Sequence, residues 1–127
     1  MSVWTKETVI KLHRLLTLAS GGSEGVRDEG LLESAIGSAF ATFGGVELYP
    51  TIEEKGARLG FALASNHPFV DGNKRIGVLT MLTFLEANGR KIYATDKEIY
   101  DIGMALGKGE MPYLVLLAWV NAHSKKE

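Results

Sequence analysis

Apolar residues recur three and four positions apart in six segments of the chain, which is the spacing of an amphipathic helix. In the first segment Val9, Leu12 and Leu16 form part of one wide apolar face. Glycine pairs, proline and polar residues separate the segments and favour turns. The sequence therefore predicts six helices, over about residues 6–19, 29–42, 52–66, 73–87 and 96–106, with a last one that begins at Pro112.

Four of the predicted helices are preceded by a residue that caps helix N-termini. Thr5 and Asp28 precede the first and second helices, and Thr51 and Thr95 precede the third and fifth. The two later threonines are each followed three positions on by a glutamate, which makes a capping box. The fourth helix is apolar nearly all round, so we expect it at the buried centre of an all-α bundle.

Composition limits the kinds of protein that this chain can be. Its 127 residues suit one domain, residues 1–127, with no second domain. The formal net charge is −1, so we expect no direct nucleic-acid partner. The absence of cysteine excludes disulfides, thiolate catalysis and cysteine zinc sites. No leader or membrane-spanning run is visible, so we expect a cytoplasmic protein without a membrane partner.

Most of the recognisable chemistry lies in residues 67–75, which read His-Pro-Phe-Val-Asp-Gly-Asn-Lys-Arg. The stretch turns at Gly72 immediately before the fourth helix, and unpaired N–H groups at a helix N-terminus bind anions. Lys74 and Arg75 add positive charge, so with Asn73 and the backbone of Gly72 they are candidate phosphate ligands. His67 can act as a general base, and Asp71 can bind the Mg²⁺ that accompanies nucleotide phosphates. Phe69, with Pro68, is expected to anchor the loop.

This stretch resembles the signature of the Fic/Doc family, His-x-Phe-x-Asp/Glu-Gly-Asn-Gly/Lys-Arg, at every defined position. Lys74 stands where Fic proteins usually have glycine, and in this it is similar to the Doc (death-on-curing) branch. Val78 stands where many Fic proteins carry a second arginine. The flanking residues 25–35, 42–45, 48–51, 83–85 and 88–89 also resemble Doc-type toxins, so the resemblance covers most of the chain.

The resemblance implies a Fic-fold bundle that uses ATP and Mg²⁺. A Doc-like enzyme would transfer the terminal phosphate of ATP to a hydroxyl of a protein target, an elongation factor of translation, with His67 as the base. The alternative is Fic-type transfer of AMP to a protein hydroxyl, and a non-catalytic binding module is a third reading. Lys74 and Val78 favour phosphate transfer. AMP transfer needs the β- and γ-phosphates to lie deeper in the pocket at the helix N-terminus, and glycine and arginine at these two positions would suit that arrangement.

The resemblance also implies two contacts with other proteins. Residues 45–50 are extended in character because Pro50 disfavours helix at Tyr49. Their position matches the flap of Fic-like proteins, a short β-hairpin that docks the target by strand addition, and a plain interhelical loop is the alternative. The flap residues would be Val46, Glu47, Leu48 and Tyr49. A small antitoxin, whose disordered tail folds into a helix on the toxin, would restrain the enzyme.

Three other features are assigned no chemistry. His13 is interpreted as an exposed or core-edge imidazole on the first helix. Residues 20–25 fit the Ser-x-x-x-Glu-Gly pattern of an inhibitory helix, but their glycines favour a chance match in a turn. His123 and the Lys125-Lys126-Glu127 tail are expected to be a solvated terminus.

Overall fold

A computed structural model describes residues 4–127 of the chain. Six helices account for most of them, as the apolar pattern predicts. They are α1 (Lys6–Ser20), α2 (Glu29–Ala39), α3 (Ile52–Asn66), α4 (Asn73–Ala87), α5 (Asp96–Gly107) and α6 (Tyr113–His123). Two antiparallel two-stranded hairpins complete the fold: β1 (Thr42–Phe43) with β2 (Val46–Glu47), and β3 (Arg90–Ile92) with β4 (Ser124–Lys126). The predicted all-α class with a short flap hairpin is confirmed.

The predicted caps form the observed helix starts. Thr5, Asp28, Thr51 and Thr95 each accept a backbone N–H from the first turn of the following helix. At Thr51 and Thr95 the glutamate three residues later completes the capping box. Because both partners of such a cap lie within four residues, the local sequence determines where the helix begins.

Helices α3 and α4 pack closely at a glycine contact that sets the position of the loop between them. A Cβ atom added at Gly77 would lie 2.7 Å from the backbone oxygen of Gly60, and one added at Gly60 would lie 3.1 Å from Met81 Cβ. Only the absence of side chains permits this approach. Helix α4 is buried along its length, through Ile76, Met81 and Phe84 among others, as expected for the centre of the bundle.

Helix α2 ends at Ala39, so its predicted extension to Thr42 is wrong. Thr42 and Phe43 form β1 instead, paired with Glu47 and Val46 of β2. Gly44 and Gly45 make the two-residue turn, both with positive φ, 59° and 81°. Residues 42–48 are exposed, so no burial favours continuing the helix. Local hairpin geometry therefore overrides the helical pattern.

The predicted solvated C-terminal tail is exposed at Lys125, Lys126 and Glu127, but its backbone is part of a hairpin and His123 is half-buried. The backbone of Ser124–Lys126 pairs with Arg90–Ile92, in the register Arg90 to Lys126 and Ile92 to Ser124. His123, at the end of α6, donates from Nδ1 to the Trp119 carbonyl at 2.7 Å and from Nε2 to Glu98 Oε2 at 2.9 Å. The C-terminus thus holds α5, α6 and β3 together. No helix of residues 4–127 is long and apolar enough to cross a membrane.

Candidate active site

The loop between α3 and α4 carries the predicted motif and bends sharply at each end. His67 ends α3 with φ 50° and ψ 53°, in the left-handed region. Gly72 begins α4 with φ 75° and ψ 25°. Phe69, between them, is 1% exposed and packs in the core with residues of α2 and α3. The predicted anchoring role of Phe69 therefore agrees with its burial.

Helix α1 supports this loop through a buried histidine. The His13 ring stacks on Phe69, with 3.9 Å between centroids and 5° between planes. Its Nε2–H donates to the Asp71 carbonyl at 2.7 Å, and only 2% of the residue is exposed. The prediction that His13 is an exposed or core-edge imidazole is therefore wrong. Its spacing of four from Val9 and three from Leu16 placed it on the apolar face, and that was the available signal.

Asn73 holds the loop closed from its other end. Its Oδ1 accepts the Phe69 N–H at 2.9 Å, and its Nδ2 donates to the Phe69 carbonyl at 3.1 Å. Both ends of the amide thus bond to one backbone position, and the role of Asn73 in binding phosphate stays a prediction. Its backbone N–H, in the first turn of α4, has no partner within the helix and keeps the capacity to bind an anion.

The His67 ring is oriented by its own helix. Nδ1 lies 3.0 Å from the Ser65 carbonyl oxygen, which can only accept, so Nδ1 carries the proton. In this tautomer Nε2 is the unprotonated nitrogen and can take a proton from another group. The residue is exposed, so a large substrate can reach the ring.

Asp71 and Arg75 connect the motif to the end of α1. Arg75 Nη1 donates to Ser20 Oγ at 2.8 Å and to the Gly21 carbonyl at 3.0 Å, and Nη2 lies 3.9 Å from Asp71 Oδ2. Backbone N–H groups of Ser23 and Gly72 donate to the Asp71 carboxylate. These two bonds, and more weakly the Arg75 charge, hold the pKa of Asp71 below its usual range, so the group is ionised.

Residues 20–25 pass so close to this pair that a side chain at Gly22 would collide with it. A Cβ there would lie 2.6 Å from Asp71 Oδ2 and 2.8 Å from Arg75 Nη2. Residues 21–25 are not helical, and Glu24 pairs with Arg14 at 3.4 Å rather than with the motif. The inhibitory-helix pattern is therefore a chance match in a turn, as predicted.

Lys74 extends away from Arg75, toward α5. Its ammonium donates to the thioether sulfur of Met104 at 3.4 Å. Its stem crosses Gly107, where an added Cβ would lie 2.7 Å from Lys74 Cδ. The two cations therefore flank the start of α4 on different sides. Among residues 4–127 no carboxylate lies within ion-pair distance of Lys74.

Two adjoining cavities share these cations. The first, about 270 Å³, brings together nearly all of the predicted site residues: His67, Asp71, Gly72, Asn73, Lys74 and Arg75. The second is a groove of about 410 Å³ between α1, α4 and α5. Its walls are mostly apolar and include Leu16, Val78, Leu79, Leu82 and Met104, with Lys74 and Arg75 also lining it. The predicted site residues thus line one cavity, called the phosphate cavity below after the ligand predicted for it, beside an apolar groove.

A magnesium ion would fit this site only with help from phosphates and water. No group of three His, Asp or Glu side chains among residues 4–127 could hold a metal. Asp71 is ionised and its side chain is 49% exposed, so it can offer one oxygen ligand. Mg²⁺ commonly binds through one or two carboxylates together with substrate phosphates and water. A site with Asp71 as its one carboxylate is compatible with Mg²⁺ bound in this way.

The predicted flap residues lie outside the phosphate cavity. Phe43, Val46 and Leu48 are exposed on one face of the β1–β2 hairpin, by 80%, 69% and 52%. On the other face Glu47 pairs at 3.0 Å with Lys55 of α3, which also donates to the Tyr49 carbonyl. Lys55 is 1% exposed. Sequence reasoning missed this anchor, although a lysine between Ile52 and Leu59 on an apolar face was a signal.

These features define an all-α protein with a histidine and two cations at the N-terminus of a buried helix. The Fic/DOC family model matches residues 3–85, and the chain belongs to this Fic/Doc family. It is 45% identical to Toxin Doc of Mycolicibacterium smegmatis over 78 residues, which are 61% of this chain and 60% of the toxin. It is 31% identical to Protein kinase doc of Escherichia phage P1 over 105 residues, 83% of this chain and 82% of the phage protein. The resemblance to the Doc branch is thereby confirmed.

Proposed function

We propose that this chain is a Doc-type toxin that transfers the terminal phosphate of ATP to a hydroxyl of a protein, an elongation factor of translation. The observation that carries the proposal is the cavity that His67, with its Nδ1–H bonded to the Ser65 carbonyl, shares with the first turn of α4. The name of the phage relative, a protein kinase, supports the type of reaction. The name of the mycobacterial relative supports the toxin role.

In the proposed reaction the target hydroxyl attacks the γ-phosphorus of ATP. The new oxygen–phosphorus bond forms, the bond from phosphorus to the β,γ-bridging oxygen breaks, and ADP leaves. His67 accepts the hydroxyl proton on Nε2 while its Nδ1–H remains on the Ser65 carbonyl. The N–H groups of the first turn of α4, with Lys74 and Arg75, stabilise the phosphate charge. Asp71 would hold Mg²⁺, which neutralises further charge on the phosphates.

The surroundings of Lys74 support phosphate transfer over AMP transfer. Transfer of AMP requires the β- and γ-phosphates to lie deeper than the reacting phosphorus. Behind Lys74 the molecule offers the apolar groove, with Val78 buried and Leu79 and Leu82 beside it. Burying phosphate charge against apolar side chains is costly. A shallower phosphate set, with the γ-phosphate nearest His67, suits this site better.

The apolar groove and the hairpin supply the two proposed protein contacts. The groove receives the helix that forms when the tail of an antitoxin folds on the toxin, because an amphipathic helix binds through apolar side chains. The β1–β2 hairpin docks the target by strand addition, and Lys55 holds it against α3.

Double labelling tests the proposal directly. Purified elongation factor is incubated with the protein and with ATP labelled either at the γ-phosphate or on the adenine, and we expect only the γ-label on the factor. His67→Ala should lower the rate by about 10²–10⁴ because it removes the base. Arg14→Ala, which removes an exposed arginine paired with Glu24, is the control and should transfer normally. Adenine label on the factor would overturn the kinase assignment in favour of AMP transfer.

A further inference from the structure

The side chain of Arg27, in the connection between α1 and α2, reaches the end of α3. Its Nε–H donates to the His67 carbonyl at 2.8 Å, and its Nη2–H donates to the Asn66 carbonyl at 3.3 Å. The last carbonyl groups of a helix have no partner within the helix, so these acceptors need an external donor. A guanidinium supplies two donors in a fixed fork, together with a positive charge that suits a helix C-terminus.

The main chain around Arg27 binds the same segment. The N–H groups of Arg27 and Asp28 both donate to the Pro68 carbonyl, at 2.7 and 3.0 Å. Val26 forms an isolated antiparallel bridge with Phe69. Arg27 therefore contacts three successive carbonyl groups, two with its side chain and one with its backbone. Among residues 4–127 no carboxylate lies within ion-pair distance of its guanidinium.

His67 needs such support because its backbone conformation is unfavourable. With φ 50°, it is the sole non-glycine residue with positive φ among residues 4–127. Conformations of this kind persist only where the surroundings hold them. In the observed conformation of His67 the ring Nδ1–H donates to the Ser65 carbonyl, which leaves Nε2 as the nitrogen that can accept a proton. Relaxation of the backbone would move the ring and remove the bond that selects the tautomer.

We propose that Arg27 is a positioning residue for His67: its guanidinium fork holds the left-handed turn that fixes the location and tautomer of the general base. The catalytic part of this inference rests on the proposed function, because Arg27 acts only through His67. The binding of ATP should not depend on it, since Arg27 does not line the phosphate cavity.

Arg27→Met tests the inference, because it keeps the length of the stem and removes the donors. We expect kcat for phosphate transfer to fall about 10–100-fold, the scale at which a small displacement of a catalytic group acts, with KM for ATP within about twofold. The ¹⁵N chemical shifts of the His67 ring should move from the Nδ1–H tautomer toward a mixture. Arg27→Lys keeps the charge but not the fork, so its kcat should be intermediate. Arg14→Met, which removes an exposed arginine paired with Glu24, is the control.

Two results would overturn the inference. One is a folded Arg27→Met protein whose kcat is within about threefold of the wild-type value, well under the loss expected for a displaced base. The other is a fall in kcat with unchanged His67 ring signals, because the loss would then arise elsewhere. If Arg27→Met does not fold, Arg27→Gln carries the same two measurements. Should the wild-type protein transfer no phosphate, the proposed function fails, and the ring signals alone still decide whether Arg27 positions His67.

Discussion

Asn73 shows that some side chains of the motif hold its loop in shape. Both ends of its amide bind the backbone of Phe69, whose ring is stacked on His13. These contacts hold the loop in shape. The proposed chemistry depends on His67, on the two cations and on the backbone N–H groups of α4.

The proposed contact of Arg75 with phosphate must be distinguished from its observed contacts with the end of α1. Arg75→Ala removes a cation that is proposed to bind phosphate. Loss of such a charged contact costs about 1.5–3 kcal/mol, so ATP affinity should fall about 10–100-fold in titration calorimetry. The same substitution also releases Ser20 and Gly21 at the end of α1. Ser20→Ala removes one of these contacts and keeps the cation, so its affinity should stay within about threefold of wild type, under 1 kcal/mol. Equal affinity in Arg75→Ala and wild type would remove Arg75 from the phosphate site.

The sequence revealed the chemistry of single residues more readily than their partners. Histidine before a glycine turn and two cations predicted the residues that now line one cavity. It did not reveal that His13, 58 positions from Asp71, donates to the Asp71 carbonyl. Nor did it reveal that Lys55 is buried, since burial of a lysine depends on finding acceptors such as Glu47. Such partners are brought together only by the packing of distant segments.

At the scale of helices and strands, the sequence predicted the residues at which helices begin better than some of those at which they end. Four helices begin after the residue whose side chain caps them, because a cap involves only neighbours in sequence. The end of α2 was misplaced because hairpin pairing beyond it competes with the helix. The β3–β4 pair was missed because its strands are more than thirty residues apart and short, polar strands leave little periodic signal.

His123 joins α6 to the start of α5 and makes this junction sensitive to pH. Both ring nitrogens face acceptors, so the imidazolium satisfies both bonds. The bond to the Trp119 carbonyl, followed by the bond to Glu98, raises the pKa of His123 above its usual value. A raised pKa stabilises the fold fully below the unfolded pKa, about 6.5, and this contribution is lost as pH rises through the folded pKa.

Thermal unfolding of wild type and His123→Gln across pH checks this expectation. Glutamine cannot become charged, so the advantage of the wild type in Tm should be larger near pH 5.5 than near pH 8.5. Glu98 should not reverse the trend in this window. Its pKa is lowered by the Thr95 N–H first and by His123 next, so it stays ionised above its ordinary value of about 4.5. A Tm difference that does not change with pH would show that folding leaves the pKa of His123 unchanged, and a difference that grows with pH would show that folding lowers it.

At the scale of the whole molecule, the site exists only where four helices meet. His13 comes from α1, His67 from the end of α3, Lys74 and Arg75 from α4, and the surface under Lys74 from α5. The family model ends at residue 85, before α5 begins. The position of the Lys74 ammonium thus depends on a part of the chain outside the matched region. Loosening α5 is expected to change the phosphate site as well as the groove.

Control by an antitoxin is the prediction that belongs to this scale. Expression of the chain alone should arrest growth, and His67→Ala, which keeps the groove but lacks the base, should not. Co-expression of a small antitoxin encoded beside the gene should relieve the arrest by covering the apolar groove.

Tyr100→Glu separates control from catalysis. Tyr100 lines the groove, is 65% exposed and lies outside the phosphate cavity. A carboxylate there would be buried under an apolar helix face, which is costly, so the variant should still arrest growth but escape relief. Growth curves with and without the antitoxin give the answer, and pull-down measures the complex. Full relief of Tyr100→Glu by the antitoxin would place its binding site elsewhere on the molecule, and harmless expression of an active wild-type protein would contradict the toxin role.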